Sequence, residues 1–312
     1  MNRESLAGRD LISLLDYSSD ELAQILEVAA ELKANPDRYS TALEGKTLFM
    51  YFEKPSLRTR VTFEAGMTQL GGHAINYNGA EGRIGVRESV EDVARNLERW
   101  VDGAMCRTFS HQLVVELARH AEIPVINGLT DLLHPCQALA DYMTLAEVVG
   151  SLQGRRLAYV GDGNNVAHSL MNGGARLGVH VTVITPEGYR PNPEIVSAAR
   201  EAAKSNGARI EVTGDLEAVS GVDAVYTDVW ASMGQEAEAA AREAVFRPYR
   251  VDADLMRRAG ADAIFMHCLP AHRGHEVTDE VADSPASVIF EQAENRLHAQ
   301  KALLLLLLGQ PR

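Results

Sequence analysis

Phe52-Glu53-Lys54-Pro55-Ser56-Leu57-Arg58-Thr59-Arg60 decides how the chain is read, because it lies between an apolar run and an amphipathic one. Before it, Lys46-Thr47-Leu48-Phe49-Met50-Tyr51-Phe52 is short, apolar and partly aromatic, which predicts a buried strand. After it, Phe63, Gly66, Met67 and Leu70 recur at helical spacing before a Gly71-Gly72 stop, which predicts a helix. A strand feeding a helix start aims unpaired backbone N–H groups and the positive end of the helix dipole at one place, where an anion binds. Ser56 and Thr59 add hydroxyls, and Arg58 and Arg60 add guanidinium forks matched to phosphate or carboxylate oxygens. The competing reading is a Ser-capped helix with solvated arginines. Basic residues in a first turn oppose the dipole unless an anion compensates them, which favours a phosphate cradle.

Working outward, Ser18-Ser19-Asp20-Glu21 caps an amphipathic helix running to about Ala34. Downstream, Ala74-Ile75-Asn76-Tyr77 predicts a strand, and the glycine-bearing stretch 78–88, with Arg83 and Arg87, a mobile loop able to reach a neighbouring site. A helix follows through Val93, Leu97 and Trp100, then a strand over 102–107 ending in Arg107, a helix over 113–120 and a strand over 123–127. In Asp131-Leu132-Leu133-His134-Pro135-Cys136-Gln137, Pro135 suits a first helical turn, placing His134 near the cap and Gln137 inside that turn. The pair presents an imidazole and an amide to a polar ligand; the alternative is a buried histidine satisfied by backbone.

Strand and helix alternate throughout, so each half is expected to be a mainly parallel sheet flanked by helices, an α/β fold. With 312 residues, two domains are expected, 1–150 and 151–312, the junction falling at Gly150-Ser151-Leu152-Gln153-Gly154. The C-terminal helix, from about residue 292 with Arg296, is expected to pack back on the first domain. In the second half, Gly161-Asp162-Gly163-Asn164-Asn165-Val166 after a strand resembles a dinucleotide fingerprint, but Val166 stands where the third glycine belongs. The next strand ends in Thr185-Pro186 rather than an acidic ribose ligand, so an NAD-dependent dehydrogenase ranks last. Asn164 and Asn165 instead suit a small polar substrate. Asp228 closes a strand where open α/β sheets bind ligands and suits an amine; the alternative is a cap for the acidic, alanine-rich helix after it. Cys268 ends the strand 263–268 and, taken alone, reads as packing.

The formal net charge of −13, from 43 acidic against 30 basic residues, argues against nucleic acid or an anionic membrane as partner. Cys106, Cys136 and Cys268 are three widely spaced cysteines, which fits a reducing cytoplasm and indicates neither a disulfide framework nor a metal site. The N-terminus has no secretory pattern, and the apolar run 302–308 is far shorter than the roughly 20 residues that span a bilayer.

Four stretches in order, Ser56 to Arg60, His134 to Gln137, Asp228 to Gly234 and His267-Cys268-Leu269-Pro270, resemble the aspartate/ornithine transcarbamylase superfamily on its ornithine branch, over essentially the whole chain. The resemblance implies a carbamoyl-phosphate domain followed by an ornithine domain, a homotrimer or multiple of trimers, no metal or organic cofactor, and a role in arginine biosynthesis. It implies carbamoyl transfer from carbamoyl phosphate to the δ-amine of L-ornithine, giving L-citrulline and phosphate. Carried over by position, Ser56, the Leu57 backbone, Arg58, Thr59 and Arg107 hold phosphate, and His134 and Gln137 meet the carbamoyl group. Cys268, Leu269 and Arg296 complete that pocket, Asn165, Asp228, Ser232 and Met233 hold ornithine, and Cys268 accepts a proton from the attacking amine. Cys268, Arg107 and His134 make up the catalytic set. Leu57 departs from the Thr common in the ornithine branch and resembles acylornithine enzymes, which keeps putrescine or an N-acylated ornithine open as the acceptor.

Overall fold

The computed structural model describes residues 5–80, 82–232, 234 and 236–309, and side chains within them except that of Glu236. The chain divides into two compact units, one of residues 1–140 with 295–312 and one of residues 141–294.

In the first unit, strands β1 (Thr47–Phe52), β2 (His73–Asn78), β3 (Gly103–Arg107) and β4 (Val125–Leu129) form a parallel sheet of order β2-β1-β3-β4. Helix α1 (Ser19–Ala34) precedes the sheet, α2 (Leu57–Gln69), α3 (Val90–Leu97) and α4 (His111–His120) connect its strands, and α5 (Pro135–Val149) follows the last strand. Burial on β3 and β4 is continuous, as expected for parallel strands covered on both faces. Tyr51, Leu97, Cys106, Val114 and Val125 meet in one core.

The second unit carries β5 (Arg156–Val160), β6 (His180–Ile184), β7 (Ile210–Thr213), β8 (Ala224–Thr227) and β9 (Ile264–His267), all parallel, in the order β7-β6-β5-β8-β9. Its helices are α6 (Asn165–Leu177), α7 (Pro193–Ala203), α8 (Ala239–Phe246), α9 (Ala253–Ala259) and α10 (Asp279–Ala282). The last helix, α11 (Ile289–Leu308), begins in this unit and ends in the first. Val160, Ile184, Val225, Val251 and Phe265 form the core. The sheet order reverses between β5 and β8, so the carboxyl ends of β5, β8 and β9 lie side by side where ligands bind in such sheets.

One sequence expectation shifts, and the compact units divide the chain inside α5, between 140 and 141. One uninterrupted helix joins the units there, and its second half belongs with the second, where the Tyr142 hydroxyl donates to the Leu170 carbonyl at 2.5 Å. The helix expected through Trp100 stops at Leu97, leaving Trp100 71% exposed on the following turn. Among the described residues no helix is long and apolar enough to cross a membrane.

Candidate functional site

In the first unit the cradle is the start of α2. Ser56 is the N-cap and its hydroxyl accepts from the Thr59 N–H at 3.2 Å, so capping and cradle coexist. No acidic residue occupies the first turn to balance the dipole. Leu57 is the first helical residue and its side chain is 75% exposed, so only its backbone can serve a ligand in the cradle. Arg60 departs from the expectation of a second guanidinium fork: exposed, it pairs with Glu64 one turn on at 3.4 Å. Its place on the helix points it to solvent.

The other cations converge from separate elements. Arg107 ends β3, where the register with β4 slips between Cys106 and Arg107, a bulge that re-aims the side chain. The Glu53 N–H donates to the Arg107 carbonyl at 2.9 Å, and the Glu53 carboxylate accepts from the Phe109 N–H at 2.9 Å, tying the cradle loop to this strand end. Arg296 of α11 is 2% exposed; it donates to the Gln137 amide oxygen at 2.6 Å and to the Thr59 hydroxyl at 3.2 Å. Farther along α11, Lys301 donates to Gln69 at 3.0 Å and its chain packs where Gly66 leaves room, docking the two helices. His134 caps α5, its carbonyl accepting from the Gln137 N–H at 3.1 Å. Burial, and then the charges of Arg296, Arg107 and Arg58, hold the His134 imidazole well below its ordinary pKa, so it is neutral at pH 7 and donates without carrying charge. Ser56, Leu57, Arg58, Thr59, Arg107, His134, Gln137 and Arg296 thus lie in one unit, and the contacts above tie most of them to one another.

In the second unit Asp228 follows β8 and is 7% exposed. Its Oδ1 accepts from the Val229 N–H at 2.8 Å and the Cys268 thiol at 3.0 Å; its Oδ2 accepts from the Asn164 amide at 2.8 Å. It therefore does not cap α8, which starts with no side-chain cap. Asn164 is the N-cap of α6 and accepts there from Val166 and Ala167, so it locks Asp228 to that helix start. Asn165 opens α6 beside it, and Ser232 is half-buried after Asp228. Met233 lies outside the described residues.

Cys268 and Leu269 follow β9. Burial first, then the Asp228 charge, pushes the Cys268 thiol well above its ordinary pKa, so it stands as a thiol donating to Asp228. Leu269 sits at φ +57, a left-handed conformation costing an ordinary residue about 1–2 kcal/mol. Its N–H donates to His267 Nδ1 at 2.8 Å, which offsets part of that. His267 Nε2 faces the buried Glu276 at 3.2 Å, so the ring is the tautomer protonated at Nε2. Asp228, His267 and Cys268 bring potential metal-ligand atoms within 4.8 Å of one another, yet both His267 nitrogens are already engaged. A buried chain runs from Asp141 through the Gln292 amide to the His267 N–H, at 2.7 and 2.9 Å, and holds the end of β9.

The dinucleotide-like glycines have a packing reason. A Cβ on Gly163 would lie 2.3 Å from the Pro191 nitrogen, so the residue is small to admit the loop after β6. Within the stretch 78–88, Ile84 is buried and its N–H donates to the Tyr51 hydroxyl at 3.2 Å, while Arg83 and Arg87 are exposed. Sequence reading passed over Glu276, Gln292 and Arg242, all buried polar side chains.

Comparison with known proteins accounts for both units. Residues 9–147 match the family described as aspartate/ornithine carbamoyltransferase, carbamoyl-P binding domain, and residues 153–307 its Asp/Orn binding domain. The chain is 53% identical to the ornithine carbamoyltransferase of Thermococcus kodakarensis over 98% of both chains. It is 54% identical to the anabolic ornithine carbamoyltransferase of Pyrococcus furiosus, again over 98% of both. The solved structure of the ornithine carbamoyltransferase from Pyrococcus furiosus superposes with a TM-score of 0.96, covering 99% of this chain and 100% of that one.

Proposed function

The chain belongs to the aspartate/ornithine carbamoyltransferase family, and on that footing we propose how its residues carry the transfer of a carbamoyl group from carbamoyl phosphate to the δ-amine of L-ornithine, giving L-citrulline and phosphate. Carbamoyl phosphate binds at the start of α2. The Ser56, Leu57, Arg58 and Thr59 positions with Arg107 hold its phosphate, and charge building on the leaving phosphate falls among cations already in place. Neutral His134 donates to the carbamoyl oxygen, Gln137 fixes the carbamoyl amide, and Arg296 holds Gln137 in that orientation. Leu269, on its left-handed turn, and Cys268 complete the reacting end.

Ornithine's α-ammonium pairs with Asp228, while Asn165, Ser232 and Met233 take the rest of its amino-acid head. A δ-ammonium cannot attack, so it must lose a proton before its nitrogen adds to the carbamoyl carbon and the bond to the phosphate oxygen breaks. Cys268 accepts a proton only as thiolate. Burial and then the Asp228 charge raise the thiol; pairing of Asp228 with the α-ammonium offsets the second of these and so favours the thiolate, and a Cys268 that enters the reaction as thiolate takes the proton from the δ-ammonium.

One observation carries the choice of acceptor: the buried carboxylate of Asp228, held by three donors at a strand end. Free ornithine brings it a cation, an N-acylated ornithine brings a neutral amide, and putrescine has no amino-acid head. Leu57 does not weigh against this, since its side chain is exposed and carries no polar group, and the cradle uses its backbone. Citrulline formation measured beside carbamoylation of putrescine and N-acetylornithine tests the reading; preference for either alternative acceptor overturns it. The reading includes the biosynthetic direction, a cytoplasmic location, supported by three unpaired cysteines, and a homotrimer, supported by the exposed apolar Leu57 and Val61 on α2. Sedimentation equilibrium at three times the chain mass of 34.0 kDa checks the last.

A further inference from the structure

We propose that Arg242, on α8, is a positioning residue of the amino-acid site: its guanidinium ties the end of β5 to the segment after β8 and so sets where residues 228–232 present their ligands. The inference rests on the reading of Asp228 and Ser232 as ornithine ligands. Arg242 is 7% exposed. Its Nη1 donates both to Asp162 Oδ2 and to the Trp230 carbonyl, each at 3.0 Å, and its Nε donates to Glu238 at 3.0 Å. The guanidinium carbon lies 5.0 Å from the centre of the Tyr189 ring, on the loop after β6. Trp230 is also gripped by its ring, which stacks on Phe246 of the same α8 at 6.0 Å, and Phe246 meets Tyr189 edge-on at 4.7 Å.

These contacts close a ring around the site. Asp162 stands just before Asn164, Asn164 donates to Asp228, and Trp230 lies between Asp228 and Ser232. From α8 the path runs to Asp162, along the chain to Asn164, across to Asp228, along the chain to Trp230, and back to α8. Arg242 is the one member of this path that brings both Asp162 and the Trp230 carbonyl to a single nitrogen. A buried ion pair adds little net stability over an apolar filling of the same volume. What Arg242 supplies, and a methionine does not, is one buried donor nitrogen shared by the two strand ends and held in place by the Nε bond to Glu238. Asp162 is faced by Arg242, Asp228 and Glu238, and burial lifts its carboxyl to about 6.

The test uses the full chain with Arg242→Met, Arg242→Lys, Asp162→Asn and Asp228→Ala, read by steady-state kinetics, carbamoyl-phosphate calorimetry and thermal melting. Arg242→Met is expected to raise KM for ornithine by about tenfold or more while changing kcat far less, the signature of a displaced binding segment. Carbamoyl-phosphate affinity stays at the wild-type value. Arg242→Lys recovers part of the loss, because one ammonium can replace the nitrogen shared by Asp162 and Trp230 but not the separate Nε bond to Glu238. Asp162→Asn adds less than its own effect on top of Arg242→Met, since both act through one contact. A lowered melting temperature with KM for ornithine unchanged overturns the proposal, as does a parallel loss of affinity for both substrates. If Arg242→Met does not fold, Arg242→Lys and Asp162→Asn decide by the same criteria. An ornithine KM that stays put in Asp228→Ala overturns the ligand assignment itself; one that rises there but not in Arg242→Met overturns only the positioning role.

Discussion

The two units build candidate sites of opposite charge by different constructions. In the first, the cations come from a helix start, a strand end and the distant α11, and buried Arg296 fastens them through Thr59 and Gln137. In the second, Asn164, Asp228 and Cys268 follow three adjacent parallel strands, and the sheet order alone brings them together. The first site depends on side chains holding one another, the second on topology with side chains adjusting it. Removing a fastener should therefore damage the first unit's fold, whereas removing a ligand should damage only the second unit's substrate.

The largest test of that contrast is a pair of ligand deletions. Arg58→Ala should lower kcat/KM for carbamoyl phosphate by roughly 10²–10³-fold, the scale of losing one preorganised transition-state donor. Asp228→Ala should act chiefly on ornithine, raising its KM while carbamoyl-phosphate binding by calorimetry holds. Equal loss of both substrates in both variants breaks the division of labour.

Next in size is the fastener. Arg296→Met leaves the Gln137 and Thr59 oxygens buried without their donor, a penalty of about 1–3 kcal/mol for each such group, read as a lowered denaturant midpoint. Arg60→Ala, which breaks an exposed pair on the same α2, should shift stability by less than about 1 kcal/mol. Similar losses in the two variants would remove the distinction between buried fastener and solvated charge.

Cys268 sharpens the second site. As a thiol held up by burial and by Asp228, it should alkylate slowly with iodoacetamide at pH 8, and Asp228→Asn, which removes the charge but not the burial, should speed the reaction. Unchanged alkylation would show that Asp228 does not control the thiol.

How much could be read in advance follows the same contrast. The cradle is local: an apolar strand, Ser56 and two arginines within a few residues announce it, and the strand, helix and cap formed over those residues. Pro135 likewise announces the start of α5 that places His134 and Gln137. Nothing local separates Arg58, which faces His134, from Arg60, which pairs with Glu64; only the turn of the helix divides them. Nothing in the sequence around Arg242, Glu276 and Gln292 marks them as buried, because their partners lie on other elements, at Asp162, His267 and Asp141. The reason for Gly163 was hidden in the same way: it is demanded by Pro191, a contact made by a loop far along the chain.

The smallest effect concerns pH and isolates the first site. His134 has a folded-state pKa depressed by burial and by three arginines, against an ordinary value of 6.5. Below pH 6.5 the unfolded chain takes up a proton that the folded chain refuses, so this residue makes the fold less stable as pH falls. Unfolding midpoints should therefore decline from about pH 6.5 downward, and His134→Gln, which keeps a polar donor but cannot titrate, should flatten that decline. The same comparison in Asp228→Ala should leave the slope from His134 intact, because the cations that depress it all lie in the other unit. An acid slope unchanged by His134→Gln would mean that the arginines do not hold the imidazole neutral, and the first site would lose its uncharged donor.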